Sequence, residues 1–246
     1  MNIVYMKTHK KIILILFFIF FVYCNSYSEG FQNEKTFSNT MKWGNLEKDF
    51  LKFINKRNLN IFKKVSKPPF YKNNSEQTRR ELQSLVNMQQ KVTEEQRSNI
   101  MTQRNFDKTL EYFKLEDDDS AALQKYIEDT VKPVHMYLKR HFNRVRPSLL
   151  DSRIRPIITV PPHASYPSGH ATEAWSIAYA LGDKFPEQKD TYYGIAHDIA
   201  TNRERAGVHY KSDSEYGQKL AKEILNLNGK KYHPLTGSIS VFSLDR

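Results

Sequence analysis

The 246 residues suffice for one domain with a full core, and 39% hydrophobic with 13% aromatic content is the composition of a globular protein. A formal charge of +11 suits an anionic surface or a small anionic substrate. No run of Lys and Arg interleaved with aromatics supports nucleic acid as a binding partner, and the single cysteine, Cys24, permits neither an intramolecular disulfide nor a cysteine metal site.

Lys7, Lys10 and Lys11 precede an apolar stretch from Ile12 to Tyr23, which is followed by Cys24, Asn25 and Ser26. A positive start, a short apolar run and small polar residues describe a secretory signal peptide over residues 1–28, cleaved between Cys24 and Ser28. The run falls short of the roughly 20 apolar residues of a transmembrane helix. The mature protein is therefore expected to be periplasmic or secreted, with an uncleaved anchor as the alternative. Residues 29–70 read as an N-terminal extension with one helix around Leu46 to Asn58, ended by the extended Pro68-Pro69.

Residues 71–246 read as one helical domain. Ser75 opens a helix carrying Leu82, Leu85, Val86 and Met88, and Thr93 with Gln96 predicts a capping box for the next. From Asp117, apolar residues Leu123, Ile127, Val131, Val134 and Leu138 recur at spacings of three and four, with Pro133 expected to kink or divide the segment. Ser168 to Leu181 predicts a helix closed by Gly182. Pro186 begins another, running to about Arg205, and Gly207 allows the turn after it. Ser212 and Glu215 predict a second capping box, opening a helix that stops at Gly229. Strand-like alternation is confined to Arg155–Val160 and Ser238–Phe242, so the fold class is mainly α.

Three segments carry chemistry. Lys139 and Arg146-Pro147 stand seven residues apart, close to two helical turns, which predicts two cations on one helix face. Tyr166-Pro167-Ser168-Gly169-His170 places a serine N-cap and a glycine at a helix start, where free N–H groups and partial positive charge suit an anion. His170 in the first turn faces the same point. Finally, Arg203 precedes His209 by six positions, and Asp213 follows His209 by four. A carboxylate at that distance can hold one imidazole nitrogen and leave the other free as a nucleophile. Together the segments supply cations and N–H donors for phosphoryl oxygens, an oriented nucleophile and a separate acid. Arg155-Pro156 repeats the Arg-Pro pair, but Ser148 stands seven residues before it, so Arg146 is the better assignment. His163, His197, Glu204 and Arg205 are further candidates to line the pocket.

K-x6-RP, PSGH and R-x5-H-x3-D in this order resemble the type-2 phosphatidic acid phosphatase superfamily, most of all its soluble bacterial class A non-specific acid phosphatases. The resemblance covers Lys139 to Asp213, including the stretches A-S-Y-P-S-G-H and A-G-V-H-Y-K-S-D, and weakly extends over Pro68 to Arg104. It implies an all-α, single-domain helical bundle of the acid phosphatase/vanadium haloperoxidase type. It also implies metal-independent hydrolysis of small phosphate monoesters, with no cofactor. In that reading Lys139, Arg146 and Arg203 hold the phosphate with the Ser168 hydroxyl and the Gly169 N–H. His209 attacks phosphorus, Asp213 orients it, and His170 protonates the departing alkoxide and then activates water. The family usually has Ser before the third-motif Arg, where this chain has Asn202.

Three other activities share these motifs or their pocket. They are a soluble lipid-phosphate phosphatase working at a membrane surface, a vanadate-dependent haloperoxidase, and a non-catalytic anion-binding module. The nucleophile, its orienting Asp and the acid together argue against simple binding, which needs none of them. Contact with a membrane surface and assembly into a homo-oligomer stay open.

Overall fold

The computed structural model describes Phe37, residues 71–228 and residues 234–235. The expected signal peptide, the helix at 46–58, Pro68-Pro69, the stop at Gly229 and the alternation at 238–242 lie outside the described residues.

Among the described residues the secondary structure is helical, with no strand. The elements are α1 (Glu76–Gln89), α2 (Glu94–Thr102), α3 (Phe106–Leu110), α4 (Asp117–Tyr126), α5 (Lys132–Phe142), α6 (Pro147–Leu150), α7 (Gly169–Lys184), α8 (Lys189–Arg205) and α9 (Lys211–Asn228). None of the described helices is long and apolar enough to cross a membrane.

The caps of the first two helices follow the sequence. The Ser75 side chain accepts the Thr78 N–H at the start of α1, and Thr93 and Gln96 form a reciprocal capping box on α2. Pro133 divides its segment. It has no N–H to donate, and a π-helical turn over Ile127–Val131 separates α4 from α5.

Helix α7 is central, packed against both α8 and α9. It is buried on almost every side, from Ala171 through Leu181, as expected of a helix whose residues are small and apolar all round. Gly217 of α9 permits the close crossing. A Cβ there would lie 3.0 Å from Ala171 Cβ and 3.1 Å from the Ser168 carbonyl oxygen. The main core joins α4, α5, α7, α8 and α9 through residues such as Leu123, Val134, Ile177, Ile199 and Leu220.

Three expectations are corrected. Gly182 does not end α7, which runs on to Lys184 with Pro186 just beyond. Gly182 instead sits against Lys189 and Tyr193 of α8. Ser212 is not an N-cap, since α9 already begins at Lys211 and the Ser212 side chain and N–H are both bound to Glu81 of α1. The segment Arg155–Val160 is an irregular loop rather than a strand. Pro156 lacks the N–H a ladder needs, although Ile157 N does donate to the Ala206 carbonyl at 3.0 Å.

Candidate active site

Lys139 and Arg146 reach the same place by a different route from the one their spacing predicts. Helix α5 ends at Phe142, and Asn143 takes the left-handed conformation with φ 49°, so the two cations do not share a helix face. They converge on the loop before α7. Lys139 Nζ donates to the carbonyls of Ala164 at 3.0 Å, Ser165 at 3.0 Å and Pro167 at 2.5 Å. Arg146 donates to the carbonyls of His163 at 2.9 Å and Val208 at 2.6 Å. Lys139 therefore gives its three N–H groups to the loop, and burial holds it well below the usual lysine range.

The loop leads into α7 with Ser168 as N-cap, its Oγ accepting the Ala171 N–H at 3.4 Å. The N–H groups of Gly169 and His170 open the helix, where no intrahelical acceptor exists for them. Backbone bonds tie the three motifs together: Ser165 N to the Arg144 carbonyl at 2.9 Å, and Ser168 N to the Asp213 carbonyl at 3.0 Å.

Gly207 makes the turn that returns the chain from α8 to His209. Its φ is +75°, and a Cβ would lie 2.7 Å from Gln89 Nε2 and 2.8 Å from Ile154 Cγ2. Beyond it, His209 Nδ1 lies 3.0 Å from Asp213 Oδ2, and His209 Nε2 lies 3.3 Å from Arg146 Nη1. A guanidinium can only donate, so Nε2 accepts and Nδ1 carries the proton toward Asp213. That is the tautomer a nucleophilic Nε2 requires. Burial holds His209 well below the usual histidine range, with Arg146 and Lys139 acting in the same direction against Asp213.

Among the described residues the Asp213 carboxylate accepts four hydrogen bonds: from Arg144 Nη1 at 2.7 Å, Ser165 Oγ at 2.5 Å, His209 Nδ1 at 3.0 Å and Tyr210 N at 3.1 Å. Burial pushes this carboxylate up, but Arg144, His209 and Ser165 together hold it far below the ordinary carboxylate range.

Sequence reasoning missed Arg144, Glu81 and Ser165. Arg144 bridges Asp213 to Glu81, with Nη2 3.0 Å from Glu81 Oε2, and its guanidinium lies over the Tyr210 ring at 3.7 Å. Arg144 was visible as a second arginine just before Arg146, but nothing local separates a carboxylate-bound arginine from an anion-binding one. Glu81 carried no signal in the sequence.

Arg203 is buried on α8. Its Nη1 and Nη2 donate to the carbonyls of Gln103 at 3.1 Å and Ile100 at 3.2 Å, while its Nε is buried without a partner. His170 Nε2 is likewise buried without a partner. Burial first and Arg203 second lower His170 to about 4. Burial also lowers Arg146 to about 9 and Arg203 to about 10, so both remain charged at neutral pH.

Of the further candidates, His163 joins the site, its Nδ1 3.1 Å from Arg146 Nη2. His197 is exposed and bonded to Thr201, and Arg155 is exposed, so neither belongs to it. Arg205 binds Asn202 Oδ1 at 2.8 Å. Glu204 is pushed up to about 7, chiefly by burial, with Asp213 adding to the rise. Among the described residues, no three His, Cys, Asp or Glu side chains gather as metal ligands.

Residues 122–221 match the family model described as the PAP2 superfamily, a span that holds Lys139 through Asp213. An acid phosphatase of Zymomonas mobilis subsp. mobilis is 34% identical over 98 residues, 37% of this chain and 36% of that protein. The chain thus spans about a third of that relative's length. Among solved structures, a transmembrane PAP2-type phosphatidylglycerolphosphate phosphatase from Bacillus subtilis gives a TM-score of 0.45 at 19% identity, covering 72% of this chain and 90% of that one. A bacterial vanadium-dependent iodoperoxidase gives 0.46 at 17% identity, covering 67% and 53%. The match to the PAP2 superfamily model thus falls on the stretch in which the three motifs stand.

Proposed function

We propose that the chain hydrolyses small phosphate monoesters through a phosphohistidine on His209. One observation carries the reading. Among the described residues Lys139, Arg146 and Arg203 are buried and none has a carboxylate within salt-bridge range, while His209 presents an unprotonated Nε2 that accepts from Arg146. Buried cations without counter-charges are costly unless an anion completes them. A phosphoryl group supplies that anion and is the electrophile His209 lacks.

The geometry supports the following steps. The substrate phosphate takes the Arg146 N–H that now points at Nε2, together with the orphaned Arg203 Nε–H and the N–H groups opening α7. The Nε2 lone pair attacks phosphorus, the bond from phosphorus to the ester oxygen breaks, and His170 gives that oxygen its proton. Asp213, still anionic, stabilises the cationic phosphoimidazole through Nδ1–H. Water then gives a proton to His170 and its oxygen to phosphorus, and the P–N bond breaks to restore the lone pair on His209. The basic apolar N-terminus of the sequence supports export, with hydrolysis in the periplasm or outside the cell.

Rapid acid or alkaline quench of the protein with radiolabelled aryl phosphate tests the intermediate. The expected label is stable in alkali, labile in acid and absent from His209→Ala. Undiminished turnover by His209→Ala would remove His209 as the nucleophile.

A further inference from the structure

Beneath the start of α7 lies a second histidine–carboxylate pair that the reaction above does not use. His135 Nε2 of α5 is 2.8 Å from Glu173 Oε1 of α7, with both side chains almost wholly buried. The His135 ring is pressed against the helix terminus. A Cβ on Gly169 would stand 3.1 Å from its Cε1 and 3.4 Å from its Nδ1, and that Nδ1 is buried without a partner. Glu173 sits three residues after His170, on the adjoining position of the same helix face. A buried histidine–carboxylate pair with an orphaned nitrogen is poorer for stability than apolar packing of the same volume.

Resting on the phosphatase reading, we propose that Glu173 and His135 are positioning residues for His170: the pair braces the Gly169–His170 turn and keeps an anionic carboxylate beside the imidazole that must carry the leaving group's proton. Among the described residues, Arg203 on α8 and Lys139 and His135 on α5 act against that proton. Glu173 is the group that favours it. The carboxylate in turn faces His135 and Lys132 as well as His170, and these together keep it ionised despite its burial.

Leaving-group dependence separates this role from plain structural support. p-Nitrophenyl phosphate releases an anion that needs little protonation, whereas an alkyl phosphate needs it fully. Glu173→Gln preserves size and a hydrogen bond to His135 but removes the charge. It should lower kcat/KM for the alkyl ester by about 10-fold or more, within the range of general acid catalysis, and for p-nitrophenyl phosphate by less than about 3-fold. The basic limb of the alkyl-ester profile should move to lower pH, because His170 then loses its proton sooner. In a His170→Ala background the same substitution should add almost nothing, as expected of residues acting through one another. Replacing both members by apolar residues, His135→Phe with Glu173→Leu, guards against a folding defect in the single variant and should give the same discrimination. Equal losses on both esters, no loss, or a full additional loss without His170 each overturn the inference. If His170→Ala itself shows no preference between the esters, it is the assignment of His170 as acid that fails.

Discussion

Two sets of buried cations differ in what neutralises them. On one side Arg144 is enclosed by Glu81, Asp213 and the Tyr210 ring, so its charge is matched within the protein. On the other, Lys139, Arg146 and Arg203 face backbone carbonyls, which solvate a cation without cancelling it. The difference assigns roles to residues of one type. The matched arginine fixes the carboxylate that fixes the histidine; on the proposed function, the unmatched cations would take the substrate phosphate.

The largest expected effects lie at His209 and on the unmatched side. His209→Ala removes the atom that would form the covalent bond, and turnover of an aryl phosphate should fall by roughly 10^4-fold or more. Arg203→Gln, on the unmatched side, should lower kcat/KM by about 10^2- to 10^3-fold, as for loss of one transition-state donor. Thermal unfolding of Arg203→Gln should change little or improve, because a buried unpaired charge has been removed. Loss of stability in step with activity would mean that this cation, too, is structural.

Arg144→Leu should behave in the opposite way. It strands Asp213 and Glu81, and breaking such a buried network costs about 3–5 kcal/mol, readable as a fall in Tm. The same network ties stability to pH. Asp213 has a lowered native pKa, so its contribution is complete above the unfolded carboxylate value of about 4 and is lost as pH falls further. Arg144→Leu should therefore flatten the acid limb of the unfolding curve, whereas Arg203→Gln should leave that limb in place.

The matched and unmatched sides also predict a split pH profile. His209 stays neutral far below the usual histidine range, so the acid limb of activity should be low. On the proposed mechanism His170, lowered to about 4, should limit activity on the basic side. A bound phosphate dianion favours its protonated form, so the basic limb of kcat should lie at higher pH than that of kcat/KM. Rates rising steadily to pH 9 would remove His170 as the acid.

What could be read from the sequence follows the same division. The helices and the motifs are local signals: periodicity, caps and short spacings all act within a few residues. They locate His209, Asp213, His170 and the three unmatched cations. The matched side is not local, since Glu81 meets Ser212 across 131 positions and carries no motif of its own. Of the local readings that failed, two bear on the site. Glu81 draws Ser212 away from a capping role, and the left-handed Asn143 breaks the helix that was to align Lys139 with Arg146.

The smallest expected effect concerns Asn202, the one departure from the family pattern. Its Nδ2 donates to Gln103 Oε1 at 2.9 Å and its Oδ1 accepts from Arg205 at 2.8 Å, so these two hydrogen bonds go to neither His209, Arg146 nor the start of α7. Its influence passes through Gln103, whose backbone carbonyl holds Arg203. Asn202→Ser shortens the side chain and releases Gln103, costing roughly 1 kcal/mol of stability for one net hydrogen bond. Arg203 keeps its second carbonyl, that of Ile100, so KM should rise only a few-fold with kcat almost unchanged. A large change in kcat would place Asn202 in contact with the transferred group and move it from the frame of the unmatched side into the site itself.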